Sequence, residues 1–215
     1  MRNSNPASTT LLALDAAAGA AVALLRHQGR CITATTPDGL PHSRAVIPLL
    51  EKLLAQAGID WPQIDSFALG CGPGSFTGIR IAAATMNGVN AVLQRPITPL
   101  DSLAITAAQA PLPESNATIW VVEDARMDEC FVGCYRKGKT LQEPRLVRWQ
   151  ALASLIGEAA VISRSNPPDT ITTAWHAPHY SRSEAMIHLC QHLETPPHAP
   201  RNCYPRYLQP TQAER

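Results

Sequence analysis

Aromatic residues are scarce in this chain of 215 residues, at 5% of the total. Dense stacking platforms for single-stranded nucleic acid need aromatic side chains, so that kind of surface is disfavoured. An excess of one charge is also lacking. Lys and Arg number 18, Asp and Glu 17, for a formal net charge of +1. A protein gripping RNA alone would carry a basic excess or stripe. The nearest approach is the scattered set Arg136, Lys137, Lys139, Arg145 and Arg148, which reads as the solvated edge of a hairpin. No apolar run reaches about 18 residues, so no membrane-spanning helix is expected. The 6 cysteines include no C-x-x-C pair. Cys130 and Cys134 in "ECFVGCY" read as one face of a strand with no nearby histidine, which disfavours zinc. The cysteines are expected to be small buried hydrophobes in a reducing, cytoplasmic setting.

What is present suits a folded α/β protein. Hydrophobic residues make up 45%, and the length allows one large domain or two lobes. "TLLALDAAAGAAVALL" imitates a secretory leader, but Asp15 falls inside the apolar stretch, where burying its charge in a leader is costly. A strand–turn–strand explains it better, with "CITATT" as a third strand. "HSRAVIPLLEKLLAQAG" has helical spacing, with Ser43 as N-cap and Gly58 as stop. "SFALGC" is a short strand leading into "GPGSFT", and a small-sided helix follows through Gly78, Ala82, Thr85 and Gly88. Prolines and serine at 111–115 mark a boundary between an N-terminal lobe, 1–110, and a smaller C-terminal lobe, 111–215. The second lobe reads as a strand, a hairpin turning at Gly138, a short helix, a short strand, and a helix capped by Ser183. The final helix and tail are expected to return to the first lobe. The Pro-rich tail has little periodicity, and no internal repeat is visible.

The residues able to carry chemistry are few. Around "GCGPGSFTGIR" a P-loop would need G-x-x-x-x-G-K-S/T, and no lysine is near. The G-x-G-x-x-G pattern fails too, because Thr77 stands where its last glycine belongs. What remains is a strand, a tight turn and a helix start capped by Ser75 or Thr77, with free N–H groups that attract an anion weakly. Asp15, Gly72, Gly74, Ser75, Thr77 and Gly78 are therefore the candidates for a weak nucleotide contact. Asp15 ends the first strand, where a carboxylate either holds a magnesium ion or water, or caps the following turn. His188 and His192 have metal-pair spacing but no acid beside them, and read as an exposed helix face. Glu123 and Asp124 are adjacent on a strand and point to opposite faces, which suits no carboxylate dyad. No metal site and no catalytic constellation emerges.

"LALDAA", "GCGPGSFTGIR", "PLDSL" and "EDARMDECFVGCY" resemble the TsaB family, also called YeaZ, whose usual forms are close to LAIDTA, RGPGSFTGxR, xxSL and IDARxxExY. The resemblance covers most of residues 10–136, and the PGSFTGIR core is highly specific. "CYPRYLQP" is similar to the family's closing P-x-Y-L-R, with Gln209 for Arg. Ala16 replaces the usual Thr, and Cys71 the usual Arg. The resemblance implies the two-lobed fold of actin, Hsp70 and sugar kinases (the ribonuclease H-like superfamily), with a mixed sheet and helices in each lobe. It implies a non-catalytic scaffold that pairs with a TsaD-like catalytic protein and a TsaE-like ATPase. The complex places threonylcarbamoyl on the adenosine next to the anticodon of tRNA. ATP and a metal ion then belong to the partners, and this chain alone holds no cofactor. The partner's H-x-x-x-H motif would begin at His42, but Val46 fills the second ligand's place.

The implied partner contact is a bundle of two helices from each protein, here 42–57 and 77–93. Its expected seam is Val46, Leu49, Leu50, Leu53, Ile81, Ala82, Thr85, Gly88 and Val89. The same seam would serve a homodimer of the isolated chain. Two other readings stand beside the scaffold: a glycoprotease-like metallopeptidase of the M22 kind, and a small-molecule kinase of the same superfamily.

Overall fold

The computed structural model describes residues 9–110, 118–136, 139–166, 174–191, 193–194, 196 and 198–208. The leader-like segment forms a hairpin at the heart of a sheet. β1 (Leu11–Asp15) pairs antiparallel with β2 (Val22–His27), and β2 with β3 (Arg30–Thr35). Gly29 supplies the positive φ (75°) that the second tight turn requires. α1 (His42–Ala57) leads to β4 (Ser66–Gly70), parallel to β1. α2 (Phe76–Leu93) leads to β5 (Ile97–Leu100), parallel to β4. The strand order is β3-β2-β1-β4-β5.

Every residue of β1 is buried, which requires cover on both faces of the sheet. Alternation sends Leu12 and Leu14 toward the buried residues of α1 and α2. Leu11 and Ala13 face the other way, onto Ile105 of α3 (Ser102–Ala107) and Ala185, Met186 and Cys190 of α5 (Arg182–Cys190). Arg26 fixes α5 there. It is only 2% exposed, and its Nη1 donates to the carbonyls of Cys190, Gln191 and Leu193 at 2.7, 3.1 and 3.0 Å. A cation at a helix C-terminus satisfies the last carbonyls and opposes the helix dipole.

The second sheet contains β6 (Ile119–Arg126), β7 (Glu129–Arg136) and β8 (Lys139–Arg148), all antiparallel. α4 (Trp149–Ile156) follows, then β9 (Val161–Ile162) parallel to β6, and β10 (Trp175–His176) parallel to β9. Its order, β10-β9-β6-β7-β8, repeats the first sheet's: three antiparallel strands, a helix, then two parallel strands. The duplication is one of topology. It leaves no visible trace in the sequence, because many apolar side chains satisfy the same burial pattern. α3 lies between the sheets, with Ile105 packed toward the first and Leu103 and Ala107 toward the second.

Local expectations changed at the caps. α1 begins at His42 behind Pro41, so Ser43 is inside the helix; Gly58 does stop it, in the left-handed conformation. α5 is capped by Ser181, not Ser183, because Glu184 completes a capping box with Ser181. The Gly138 turn and His192 lie outside the described residues. Among the described residues, no helix is long and apolar enough to cross a membrane.

Candidate functional site

The "GPGSFT" segment is a corner from β4 into α2. Gly72 and Gly74 have φ of 95° and 153°, and the Gly72–Pro73 peptide is cis. The glycines answer a packing demand from the β1–β2 turn. A Cβ on Gly74 would lie 2.4 Å from the Ala17 carbonyl oxygen, and one on Gly78 would lie 2.0 Å from that of Ala16. Ser75 N donates to the Ala17 oxygen at 2.8 Å, and Gly78 N donates to the Ser75 hydroxyl at 3.2 Å. Two N–H groups at the start of α2 are thus taken by the protein itself. The corner is a turn clamped to its neighbour rather than an open phosphate cradle.

Asp15 lies at the centre of this packing, fully buried. Its Oδ2 accepts from Arg182 Nε at 2.8 Å, and its Oδ1 accepts from the Ser102 hydroxyl at 2.8 Å. Arg182, 8% exposed, also donates to the Thr106 hydroxyl and the Ser102 carbonyl, each at 3.1 Å. Thr106 donates to Glu123 Oε1 at 3.4 Å, and Arg164 Nε donates to the same oxygen at 2.9 Å. The chain Asp15–Arg182–Thr106–Glu123–Arg164 therefore runs from the first sheet to the second. Asp15 Oδ2 also accepts from Ala17 N at 3.3 Å, so this carboxylate caps the turn that follows β1. A guanidinium from α5, remote in sequence, occupies its charge.

A polar cleft of about 490 Å³ lies between the sheets, bordered by Gly19, Gly74, Ser75, Glu123, Arg126 and Arg164. Of the proposed nucleotide-contact set, Gly74 and Ser75 line it. Thr77 is exposed nearby in sequence, while Gly72 and Gly78 are buried. Glu123 is buried and Asp124 exposed, on opposite faces of β6. His42 opens α1, with Val46 buried a turn later. Among the described residues, no group of three or more His, Cys, Asp or Glu is placed to hold a metal ion.

The expected seam divides in two. Val46, Leu49, Leu50, Leu53 and Ala82 are between 0% and 5% exposed and pack in the same core as Leu12, Leu14, Phe67 and Leu69. Their apolar character serves their own sheet, so they offer a partner no surface. Ile81, Thr85 and Val89 are half-buried, and Gly88 is exposed with nothing within 4 Å of a Cβ built on it. Ala84 and Val92, outside the expected seam, extend this outer row, and Val92 is 84% exposed. From Ile81 to Leu93 the helix carries no charged residue. An exposed helical face without charge is unusual for a surface bathed only in water.

The tail is more ordered than its composition suggests. Asn87 brackets Cys203, donating to its carbonyl at 2.8 Å and accepting from its N–H at 3.0 Å. Buried Asn90 donates to the Arg201 carbonyl at 2.7 Å. Arg80 Nε donates to the Tyr207 hydroxyl at 2.8 Å and lies over the Phe76 ring at 3.8 Å. The strap of residues 198–208 thereby lies along α2. The hint in the sequence was the pair Asn87 and Asn90, polar residues within a run from Ile81 to Leu93 that carries no charge.

Two five-stranded mixed sheets with helices packed against them define an α/β protein. A family model described as TsaD, tRNA N6-adenosine threonylcarbamoyltransferase, matches residues 40–161. The chain belongs to this family, within its TsaB/YeaZ group. It is 31% identical over 122 residues to the tRNA threonylcarbamoyladenosine biosynthesis protein TsaB of Haemophilus influenzae, covering 57% of this chain and 52% of that one. To the Escherichia coli TsaB it is 29% identical over 128 residues, covering 59% and 55%. The chain thus spans about half the length of the curated relatives it matches. Among solved structures, it is similar to a Pseudomonas aeruginosa protein described as having similarity to peptidase YEAZ. The TM-score is 0.71 and the identity 26%, over 94% of this chain and all of that one. A structure titled YeaZ from Pseudomonas aeruginosa gives 0.68 at 28% identity, over 85% and 90%.

Proposed function

We propose that this chain is a non-catalytic partner of a TsaD-like enzyme, acting with a TsaE-like ATPase in threonylcarbamoyl modification of tRNA. The observation that carries the reading is the outer row of α2: Ile81, Ala84, Thr85, Gly88 and Val92, small or apolar and free of charge. Small side chains allow a partner helix to approach closely, and desolvating them costs little. The relatives named for threonylcarbamoyladenosine biosynthesis supply the pathway. The closed Asp15–Arg182 pair adds support for a supporting role, since a kinase on this fold would want that carboxylate for metal. ATP and metal then act on the partner proteins.

The test is reconstitution. TsaD and TsaE of the same organism, with ATP, threonylcarbamoyl-adenylate and tRNA, should modify tRNA well only when this chain is added. Equal modification without it would overturn the assignment.

A further inference from the structure

An open sheet edge exposes a row of unpaired N–H and C=O groups, and stable monomers blunt such edges. The two sheets have four edges: β3, β5, β8 and β10. Three are guarded. β5 contains Pro99, and its Ile97 N–H donates to the Pro200 carbonyl of the strap at 2.8 Å. β8 contains Pro144, breaks register against β7, and carries Lys139, Glu143, Arg145 and Arg148. β10 is short, running only from Trp175 to His176. β3 has none of these devices. It pairs with β2 without a bulge from Arg30 to Thr35, and from Cys31 to Thr36 it holds no charge and no proline.

The turn before β3 fixes which of its groups are free. Gln28 and Gly29, with φ of 50° and 75°, form a two-residue loop, so His27 and Arg30 close the ladder with both hydrogen bonds. Antiparallel alternation then turns the N–H and C=O groups of Ile32 and Ala34 toward β2. Thr36 N keeps the same phase, donating to the Ala21 carbonyl at 2.9 Å. The backbone groups of Cys31, Thr33 and Thr35 point outward, and among the described residues nothing pairs with them. α1 and α5 cover the two faces, where Ile32 and Ala34 pack on one side and Cys31 on the other. The edge between them is left open.

We propose that β3 is a homodimer edge, pairing antiparallel with β3 of a second copy about a two-fold axis at Thr33. Self-complementarity identifies the occupant. Thr33 meets Thr33, and Cys31 meets Thr35 twice, so about six main-chain hydrogen bonds form and the two copies share one continuous sheet. The ends also match in charge. Arg30 of each copy falls opposite Thr36 of the other, close to its Asp38, and both charged residues are exposed. The outer row of α2 is on a different element, so this dimer leaves it free.

The experiment uses this chain alone, so its failure is separate from failure of the scaffold reading. Sedimentation equilibrium of the whole protein should show a dimer as the main species at about 100 μM. Thr33→Pro removes an outward N–H and no bond to β2, so it should weaken the dimer at least about tenfold with the circular dichroism unchanged. Arg30→Asp should weaken it as well, and Arg30→Asp/Asp38→Arg should restore it, which tests the register even if the proline variant fails to fold. Gly88→Trp, on α2, should dimerise as the wild type does. A wild-type monomer at that concentration, a folded Thr33→Pro that dimerises normally, no rescue by the charge exchange, or a dimer lost in Gly88→Trp would each overturn the proposal.

Discussion

Removing Asp15 should unfold the protein more readily, and removing Arg182 as well should largely restore it. Asp15 is fully buried and meets Arg182 at 2.8 Å, 8% exposed. Asp15→Ala leaves the guanidinium with only the Thr106 hydroxyl and the Ser102 carbonyl as acceptors. Stranding one member of a buried pair costs about 3–5 kcal/mol, while replacing both members with apolar groups is often neutral. With a urea slope of about 3 kcal/mol/M for a chain of this size, Asp15→Ala should lower the midpoint by about 1–2 M. Arg182→Met should do nearly the same. The double variant Asp15→Ala/Arg182→Met should regain most of the loss, with a midpoint nearer to wild type than that of either single variant. Urea unfolding followed by circular dichroism gives all four corners of the cycle. An unchanged or raised midpoint for Asp15→Ala would refute the reasoning. It would mark Asp15 as a strained ligand-binding acid, the kind whose removal stabilises.

Three further outcomes follow from the same contacts. Gly78→Ala drives a Cβ to 2.0 Å from the Ala16 carbonyl, so it should cost at least about 2 kcal/mol, whereas Gly88→Ala, with open space around it, should gain about 1 kcal/mol; thermal melts of the two variants should move in opposite directions. Arg26→Met strips three carbonyls at the end of α5 of their donor and should cost about 3 kcal/mol, read as a lower melting temperature. Cys130 and Cys190 are raised by burial to about 12, against 9.0 for an ordinary thiol. In the unfolded chain they ionise first, so the stability they confer is complete below pH 9.0 and is lost as pH rises toward about 12. Denaturant midpoints across that window should fall less steeply in Cys190→Ala than in wild type.

Much of the fold was legible because the periodicities were strong. The helix at 42–57 and the small-sided helix after "GPGSFT" showed their spacing, and the strand–turn–strand reading displaced the leader reading on the position of Asp15 and the long, polar, barely charged flank before it. The corner is a tight turn, and the reason for its glycines lies outside the motif. Ala16 and Ala17, far away in sequence, present the carbonyls that forbid a Cβ. Local pattern cannot reveal such long-range partners. The same limit hid Arg182 as the counter-ion of Asp15, and hid the strap's anchoring by Asn87 and Asn90. Helical spacing also could not say which face meets a partner. Leu49, Leu50 and Leu53 are as apolar as any seam, yet they face their own sheet. Only burial separated the outer row of α2 from that core.

The first experiment is to mix the purified chain with the TsaD of its own organism and measure mass by size exclusion with light scattering. The account predicts a one-to-one complex for the wild type. It predicts no complex for Gly88→Trp, which adds bulk to the outer face of α2 where no neighbour stands within 4 Å and so leaves the fold intact. A wild-type chain that stays apart from TsaD, or a Gly88→Trp chain that pairs as well as wild type, would contradict the claim that this helix is the docking face.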